Sequence, residues 1–400
     1  MMRRAMPAAL GLVFALVPLF PSFIALAGVQ FPGISLLPQP LTLAVLAVCA
    51  WLAIYALLVL SRYPAKGSQP LLAPLLAIFG AGLVAGCLGF NPVAGLLFTG
   101  IGGLGIIWHC SIMRFYSDRY AALSVFAAYL ASGTLAGAAA IAMAIARVPA
   151  AQYVAQHGRA TGAFILPGEL AGYFIVFLPI AYTLARSGVS PGLRVLARAG
   201  LLVGLAAIGL SYSRAGWIGG VAAFAFLFAV RARRGAAIAV VVAGALAVLV
   251  LFNAHHDPSE DYTRLSIWRA AVQIADRYPL TGVGPFNFSR VYPLVRAPDG
   301  DPSAFHAHSL YLTFLAEFGI VGASAVLWTM WRFATELRRR VATAPAPDAL
   351  LALSVTAGLF GVAVQGLIDT VSVVIFGLWF PMLALALAAA KGGEPSPTTG

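Results

Sequence analysis

Charge is what this chain of 400 residues has least of: 10% of it is Asp, Glu, Lys or Arg, against 61% hydrophobic residues. A water-soluble domain carries roughly 25% charge. A coat this sparse excludes two or three soluble domains, the ordinary reading of such a length. Mean hydropathy is +0.92, so the solvent for most of the surface is lipid. Acid is scarcer than base, with 13 Asp and Glu against 25 Lys and Arg, a net charge of +12. Lysine is nearly absent, Lys66 and Lys391 being the two present, so the positive charge is almost all arginine. An isoelectric point near 10.1 would suggest nucleic acid in a soluble protein. In a membrane chain, the retention of basic residues on the cytoplasmic side explains it first. Cys49, Cys87 and Cys110 all lie in apolar runs, with neither a disulfide framework nor metal-ligand spacing. No internal repeat is evident.

What the chain does have is long apolar runs. A membrane-spanning helix needs about 20 such residues. The sequence predicts an all-α integral membrane protein of about twelve spans, over 8–27, 40–60, 70–89, 92–112, 120–146, 166–185, 194–212, 215–230, 235–252, 308–331, 349–369 and 372–390. Ala25-Leu26-Ala27 is similar to a signal-peptidase site, but its apolar run exceeds the usual h-region of roughly 7–15 residues. The first segment is therefore expected to remain as a span. The layout is then nine spans within 1–252, a large loop over 253–307, three spans within 308–390 and a tail from 391 to 400. With the N-terminus inside, seventeen basic residues fall in cytoplasmic loops or tails, and the outer loops 28–39 and 90–91 carry no charge. That asymmetry supports cytoplasmic N- and C-termini.

The remaining eight basic residues are all arginines on the opposite side: Arg147, Arg159, Arg214, Arg264, Arg269, Arg277, Arg290 and Arg296. Most fall in the 147–165 loop and in 253–307, which is far longer than the 12–15 residues above which loops are usually functional or disordered. The long loop is rich in aromatics, and Leu265, Trp268, Val272 and Ala275 recur at helical spacing from Thr263 to Arg277. An amphipathic helix folded over the outer mouth is expected there. The planar fork of arginine suits phosphate oxygens and never deprotonates. Such a cluster beside a membrane suggests an anionic, phosphate-rich headgroup. Ion pairing with Asp257, Glu260, Asp261, Asp276, Asp299 or Asp301 is the alternative for each loop arginine, and Arg264 could also rest on Trp268 four residues on. Arg214, in Ser211-Tyr212-Ser213-Arg214-Ala215-Gly216-Trp217, is squeezed between two apolar spans, a costly placement that points to function.

Phe305-His306-Ala307-His308-Ser309 sits where the long loop meets a span. Two histidines two residues apart lack a third ligand at suitable spacing, and on a helix their rings would diverge, so no metal is expected. One histidine at a membrane surface makes a good general base. At 100° per residue, His308, Gly319 and Gly322 would share one helix face, while Glu317 would point away and cannot be the partner of His308 on that helix. Gly282-Val283-Gly284-Pro285-Phe286 is expected to be a tight turn, because no Gly-Lys-Ser/Thr follows to make a nucleotide loop. Glu169, in Pro167-Gly168-Glu169, stands at the outer start of the sixth span near Arg159, either as a structural pair or shaping an acceptor site.

Taken in order, these segments resemble the O-antigen ligase/polymerase superfamily of bacterial inner-membrane glycosyltransferases. The stretch from Arg159 to Ala171 is similar to the family's Arg-x-x-Gly-x-Phe segment before a helix start. Ser213 to Trp217 is similar to its Ser-Arg-Gly/Ala-Gly-Trp turn. Arg264, Trp268 and Pro279 to Gly284 are similar to its Arg-x-x-x-Trp and Pro-Leu-x-Gly-x-Gly segments. His308-Ser309 with Gly319-Ile320-Val321-Gly322 fits the histidine motif of the ligase branch without a gap. The resemblance covers 159–322. It departs at the sixth span, where the family's Asn-Pro-Asn is Pro-Gly-Glu, which puts any inherited role for Glu169 in doubt.

The resemblance implies an inverting glycosyl transfer at the periplasmic face, from a glycan on undecaprenyl diphosphate to a sugar hydroxyl of lipid A–core. His308 would act as base, with Arg214 and Arg264 stabilising the departing diphosphate. Arg159, Glu169, Arg269, Arg290, His306 and Trp268 would contact substrate. The donor stores the energy, so no cofactor, nucleotide, nucleic acid or metal is implied; the partners are the lipid-linked donor, the acceptor and membrane lipid. An O-antigen polymerase or a protein O-glycosyltransferase would use the same donor. A lipid-linked glycan flippase is the reading from another class, but transporters bind at the midplane, whereas the ionisable residues left over from the cytoplasmic loops, apart from Glu317, gather at the outer face.

Overall fold

The computed structural model describes residues 69–390, except 116–118, 149, 163, 165, 232, 256–257, 299, 303 and 371–375. The expected spans 8–27 and 40–60, the loop 28–39, and the tail from 391 lie outside the described residues. Among the described residues every regular element is a helix: α1 (Leu72–Leu88), α2 (Pro92–Phe115), α3 (Arg119–Ala146), α4 (Ala150–Ala155), α5 (Pro167–Ala185), α6 (Pro191–Leu210), α7 (Arg214–Val230), α8 (Arg234–His255), α9 (Pro258–Arg277), α10 (Phe288–Val291), a 3₁₀ turn (Tyr292–Leu294), α11 (Leu310–Thr343), α12 (Ala346–Gln365) and α13 (Phe376–Ala389). Six stretches among them are long and apolar enough to cross a membrane: Pro92–Arg114, Leu123–Ala146, Pro167–Ala185, Pro191–Leu210, Leu310–Thr343 and Ala346–Gln365. The other expected spans among the described residues are shorter apolar helices, Leu72–Leu88, Arg214–Val230, Arg234–Leu246 and Trp379–Ala389.

Helix α5 is the centre of the bundle, nearly every residue of it buried. Its bulk is accommodated by glycines on its neighbours. A Cβ at Gly133 of α3 or Gly200 of α6 would strike the Phe177 ring, and one at Gly204 would strike Phe174. Helices α7 and α12 meet backbone to backbone, since a Cβ at Gly219 would lie 2.6 Å from the Gly361 carbonyl oxygen. Small residues at crossings are how helices pack where lipid supplies no hydrophobic driving force.

Helix α11 is broken. Gly319 sits in its interior at φ 62°, ψ −167°, a region open essentially to glycine alone. The backbone groups released by the break are taken up by the 279–284 turn. Ile320 and Val321 donate to the carbonyls of Pro279 and Leu280 at 2.8 and 3.3 Å, and Val283 and Gly284 donate to those of Ala316 and Glu317 at 2.9 and 3.0 Å. The glycine-rich stretch is thus a turn spliced into a helix, with Gly282 and Gly284 at positive φ. Buried Glu317 accepts the Phe288 N–H at 3.1 Å and so caps α10; this is the pairing that its sequence position left open.

The break also decides the shape of the site. At 1.5 Å per residue, α11 is about 51 Å long and α12 about 30 Å. Their connected ends are joined by residues 344–345, yet the opposite ends also meet, Leu310 N–H donating to Gly366 O at 2.8 Å. A straight α11 would overshoot by roughly 20 Å, so residues 310–318 must turn across the end of the bundle. They form a small second core with α9 and α10, including Ile267, Ala271, Ile274, Phe288, Tyr292, Ala307 and Ala316. The expected helix over Thr263–Arg277 is therefore present within α9, but its buried face is Ile267, Ala270, Ala271 and Ile274. Leu265 and Val272, read from spacing as part of a packed stripe, are exposed.

Gly319→Ala should be strongly destabilising. The backbone strain alone costs on the order of 1–3 kcal/mol, and the new methyl would collide with the Leu280 carbonyl. Gly100→Ala, in α2 with open space around it, is the control and should be neutral or slightly stabilising. Thermal unfolding of the two purified variants compares them.

Candidate active site

Three helix N-termini and one C-terminus come together at one end of the bundle. Gly168 of α5 offers its carbonyl to Gln365 Nε2 of α12 at 3.1 Å. Gly216 of α7 packs on Ala171 of α5. Leu310 of α11 bonds to Gly366 just beyond α12. Helix N-termini present unpaired N–H groups and a positive dipole end, which favours anions.

His308 stands among these ends. It is not on α11: Ser309 is the N-cap, its hydroxyl accepting the Leu312 N–H at 3.5 Å. The expected shared face with Gly319 and Gly322 is therefore overturned, because His308 lies outside the helix and Gly319 interrupts it. His308 instead has a strained backbone, at φ +47°, held from both sides. Its N–H donates to His306 Nδ1 at 3.1 Å, and its carbonyl accepts from the Trp268 indole at 3.3 Å. Strain fixed in this way is typical of functional positions. The His306 and His308 rings touch edge to face, 4.4 Å between centroids, which corrects the expectation that they point to different faces.

The residue that sequence reasoning passed over is Asp369. Its Oδ1 lies 3.8 Å from His308 Nδ1, an electrostatic contact still short of a hydrogen bond, and the two side chains are 16% and 29% exposed. Oδ1 also accepts the Thr370 N–H at 2.8 Å. Burial pushes this carboxyl up, but His308, Arg264 and His306 together hold it down at about 2. A Cβ on Gly168 would lie 2.6 Å from Oδ2, so the glycine before Glu169 makes room for the carboxylate at the start of α5. The available signal was a lone acid where an apolar span ends.

The arginines divide. Arg264 donates to the Ile368 carbonyl at 3.1 Å, next to Asp369. Arg214, the first residue of α7, pairs with Asp261 of α9 at 3.3 Å. Arg159 braces the turn before α7, its Nε donating to Ser211 O at 3.1 Å and its NH2 to Tyr212 O at 3.5 Å, with Tyr212 at φ +47°. Buried Glu169 caps its own helix, accepting the Leu166 N–H at 3.4 Å. Arg269 is about 140° round α9 from Arg264 and exposed; Arg290 in α10 is also exposed. Neither is gathered with the others.

His306 is buried, and its pKa is lowered to about 3, first by desolvation and then by His308. The folded protein thus leaves this ring neutral where an unfolded chain would protonate it. Stability from this site is complete above about pH 6.5 and drains away as pH falls toward 3. His306→Asn should flatten the acid side of a plot of melting temperature against pH between those values.

The fold is that of a helical membrane protein whose bundle end gathers arginines, a histidine–carboxylate pair and helix N-termini, a combination suited to holding an anion beside a proton acceptor. Residues 199–327 match the O-antigen ligase family model. The matched segment contains Arg214, Arg264, Trp268, His306 and His308 and leaves Arg159, Glu169 and Asp369 outside it. No curated protein matches the chain.

Proposed function

We propose that the chain is an O-antigen ligase. It moves a glycan from undecaprenyl diphosphate to a sugar hydroxyl of lipid A–core, at the periplasmic face of the bacterial inner membrane. The observation that carries this reading is His308 backed by Asp369 with Arg264 alongside. With Nδ1 turned to the carboxylate, the ring keeps its proton there and directs the Nε2 lone pair to an incoming hydroxyl. The acceptor oxygen attacks the anomeric carbon as its proton passes to Nε2, and the bond from that carbon to the diphosphate breaks with inversion. Arg264, Arg214 and the α5 and α7 N-termini would stabilise the leaving diphosphate. The leaving group needs no protonation, so no general acid is invoked.

Purified protein, lipid-linked glycan and rough lipopolysaccharide supply the test. Transfer should proceed without nucleotide and persist in EDTA, because arginine and helix ends carry the leaving-group charge. Loss of transfer on chelation, restored by one divalent ion, would overturn the metal-free mechanism. Transfer onto a second lipid-linked repeat rather than onto lipid A–core would move the chain to the polymerase branch.

A further inference from the structure

Helix α9 has three sides. Ile267, Ala270, Ala271 and Ile274 face the small second core, and Arg264 and Trp268 reach the histidine site. The third side is exposed: Tyr262 is 75% exposed, Leu265 and Val272 46% each, with Arg269 beside them. Leu265 and Val272 are seven residues apart, two turns along one line, and among the described residues each keeps nearly half of its surface uncovered. Two residues separate α9 from α8, an apolar helix of the bundle that carries its own exposed Ile238, Val241, Val242 and Leu246. The start of α9 is therefore tethered to the edge of the lipid-facing bundle. Tyr262 stands exposed near the start of the helix, and Tyr278, just past its end, is partly exposed with its ring edge-on to Phe90; Arg269, Asp276 and Arg277 are exposed as well.

We infer that α9 is an interfacial helix whose Leu265–Val272 edge dips into the membrane leaflet at this end of the bundle, with its arginines at the level of anionic headgroups. Aliphatic residues on one edge, cations beside them and tyrosines at both ends are the composition that lies in the plane of a membrane surface. The anchor fixes the height of the adjacent side, so that Arg264 and Trp268 sit where a lipid-borne headgroup emerges from the leaflet. The argument stands on the exposed edge and its tether, independently of which sugar transfer the site performs.

The test places a spin label at Leu265→Cys or Val272→Cys in the full chain, with Cys49, Cys87 and Cys110 changed to serine, in nanodiscs of phosphatidylethanolamine and phosphatidylglycerol without donor or acceptor. Membrane insertion predicts strong relaxation by oxygen and little by a water-soluble nickel chelate, with the opposite pattern at Gln273→Cys. Preferential relaxation by the nickel chelate at 265 and 272 would place the edge in water and overturn the inference. Oxygen-type relaxation appearing only after lipid-linked donor is added would also overturn it, by making the edge a seat for a substrate tail. A second measurement does not need the cysteine-free chain. Leu265→Asp with Val272→Asp should lower transfer at least tenfold in nanodiscs with the purified protein still monodisperse, whereas an edge in water would leave the rate unchanged and sink the inference.

Discussion

If the chain is the proposed ligase, His308→Ala should lower transfer to lipid A–core by about 10²–10⁴-fold while the protein still inserts and still binds the lipid-linked donor. The ring's contacts are local, with the His306 ring and the Asp369 carboxylate. The strained backbone is held through its own N–H and carbonyl, groups that alanine keeps. The loss should therefore appear in turnover and leave donor affinity alone. Asp369→Asn should cost a comparable factor, because an amide no longer favours the tautomer with its proton on Nδ1. Asp369→Glu should fail to rescue, since Gly168 leaves room for the shorter side chain and no more. The pH profile separates a base from an imidazolium that binds phosphate. A base acts neutral, so transfer falls on acidification if His308 is the base. Asp369, held at about 2, stays ionised throughout, so that acid limb belongs to histidine. A rate that rises on acidification, or near-normal turnover in the alanine variant, would remove His308 from the role.

Arg264→Ala should reduce transfer by about 10²–10³-fold, the usual cost of losing one donor to a developing anion in a low-dielectric site. Arg264→Lys should retain part of the rate, because the charge remains but the fork is lost. Arg214→Ala should cost less. Its guanidinium is already paired with Asp261, a partner 47% exposed, so part of its charge is spent before a ligand arrives. Donor kinetics in the three variants rank them, and equal losses at Arg214 and Arg264 would contradict the division. The same comparison tests the diphosphate itself, since the arginine effects should weaken with a donor bearing a single phosphate.

Much of this site was legible without coordinates. Charge scarcity points the chain to lipid, and the arginines left over after the basic loops are accounted for include Arg214 and Arg264 of the candidate site. Arg214, Arg264, Trp268 and His308 stand out on residue type and position alone, and the structure gathers all four at one end of the bundle. Gly282 and Gly284 are visible as a turn for a local reason, because positive φ is a property of the residue and its neighbours.

What the sequence could not decide were the relations between segments. Helical arithmetic assumes an unbroken helix from 308 to 322, with Gly319 on the face of His308. Only the approach of the 279–284 turn, 35 to 40 residues earlier, reveals it as a break that swings residues 310–318 across the bundle end. Asp369 is one acid among 13 until the end of α12 meets the start of α11 and puts it behind His308. The apolar stripe of α9 was real, yet periodicity reports that a face is apolar, not what covers it. Local spacing determines elements and chemical inventory. Which side chains face one another across 40 to 200 residues is set by helix crossings, and those depend on glycines whose partners lie on other helices.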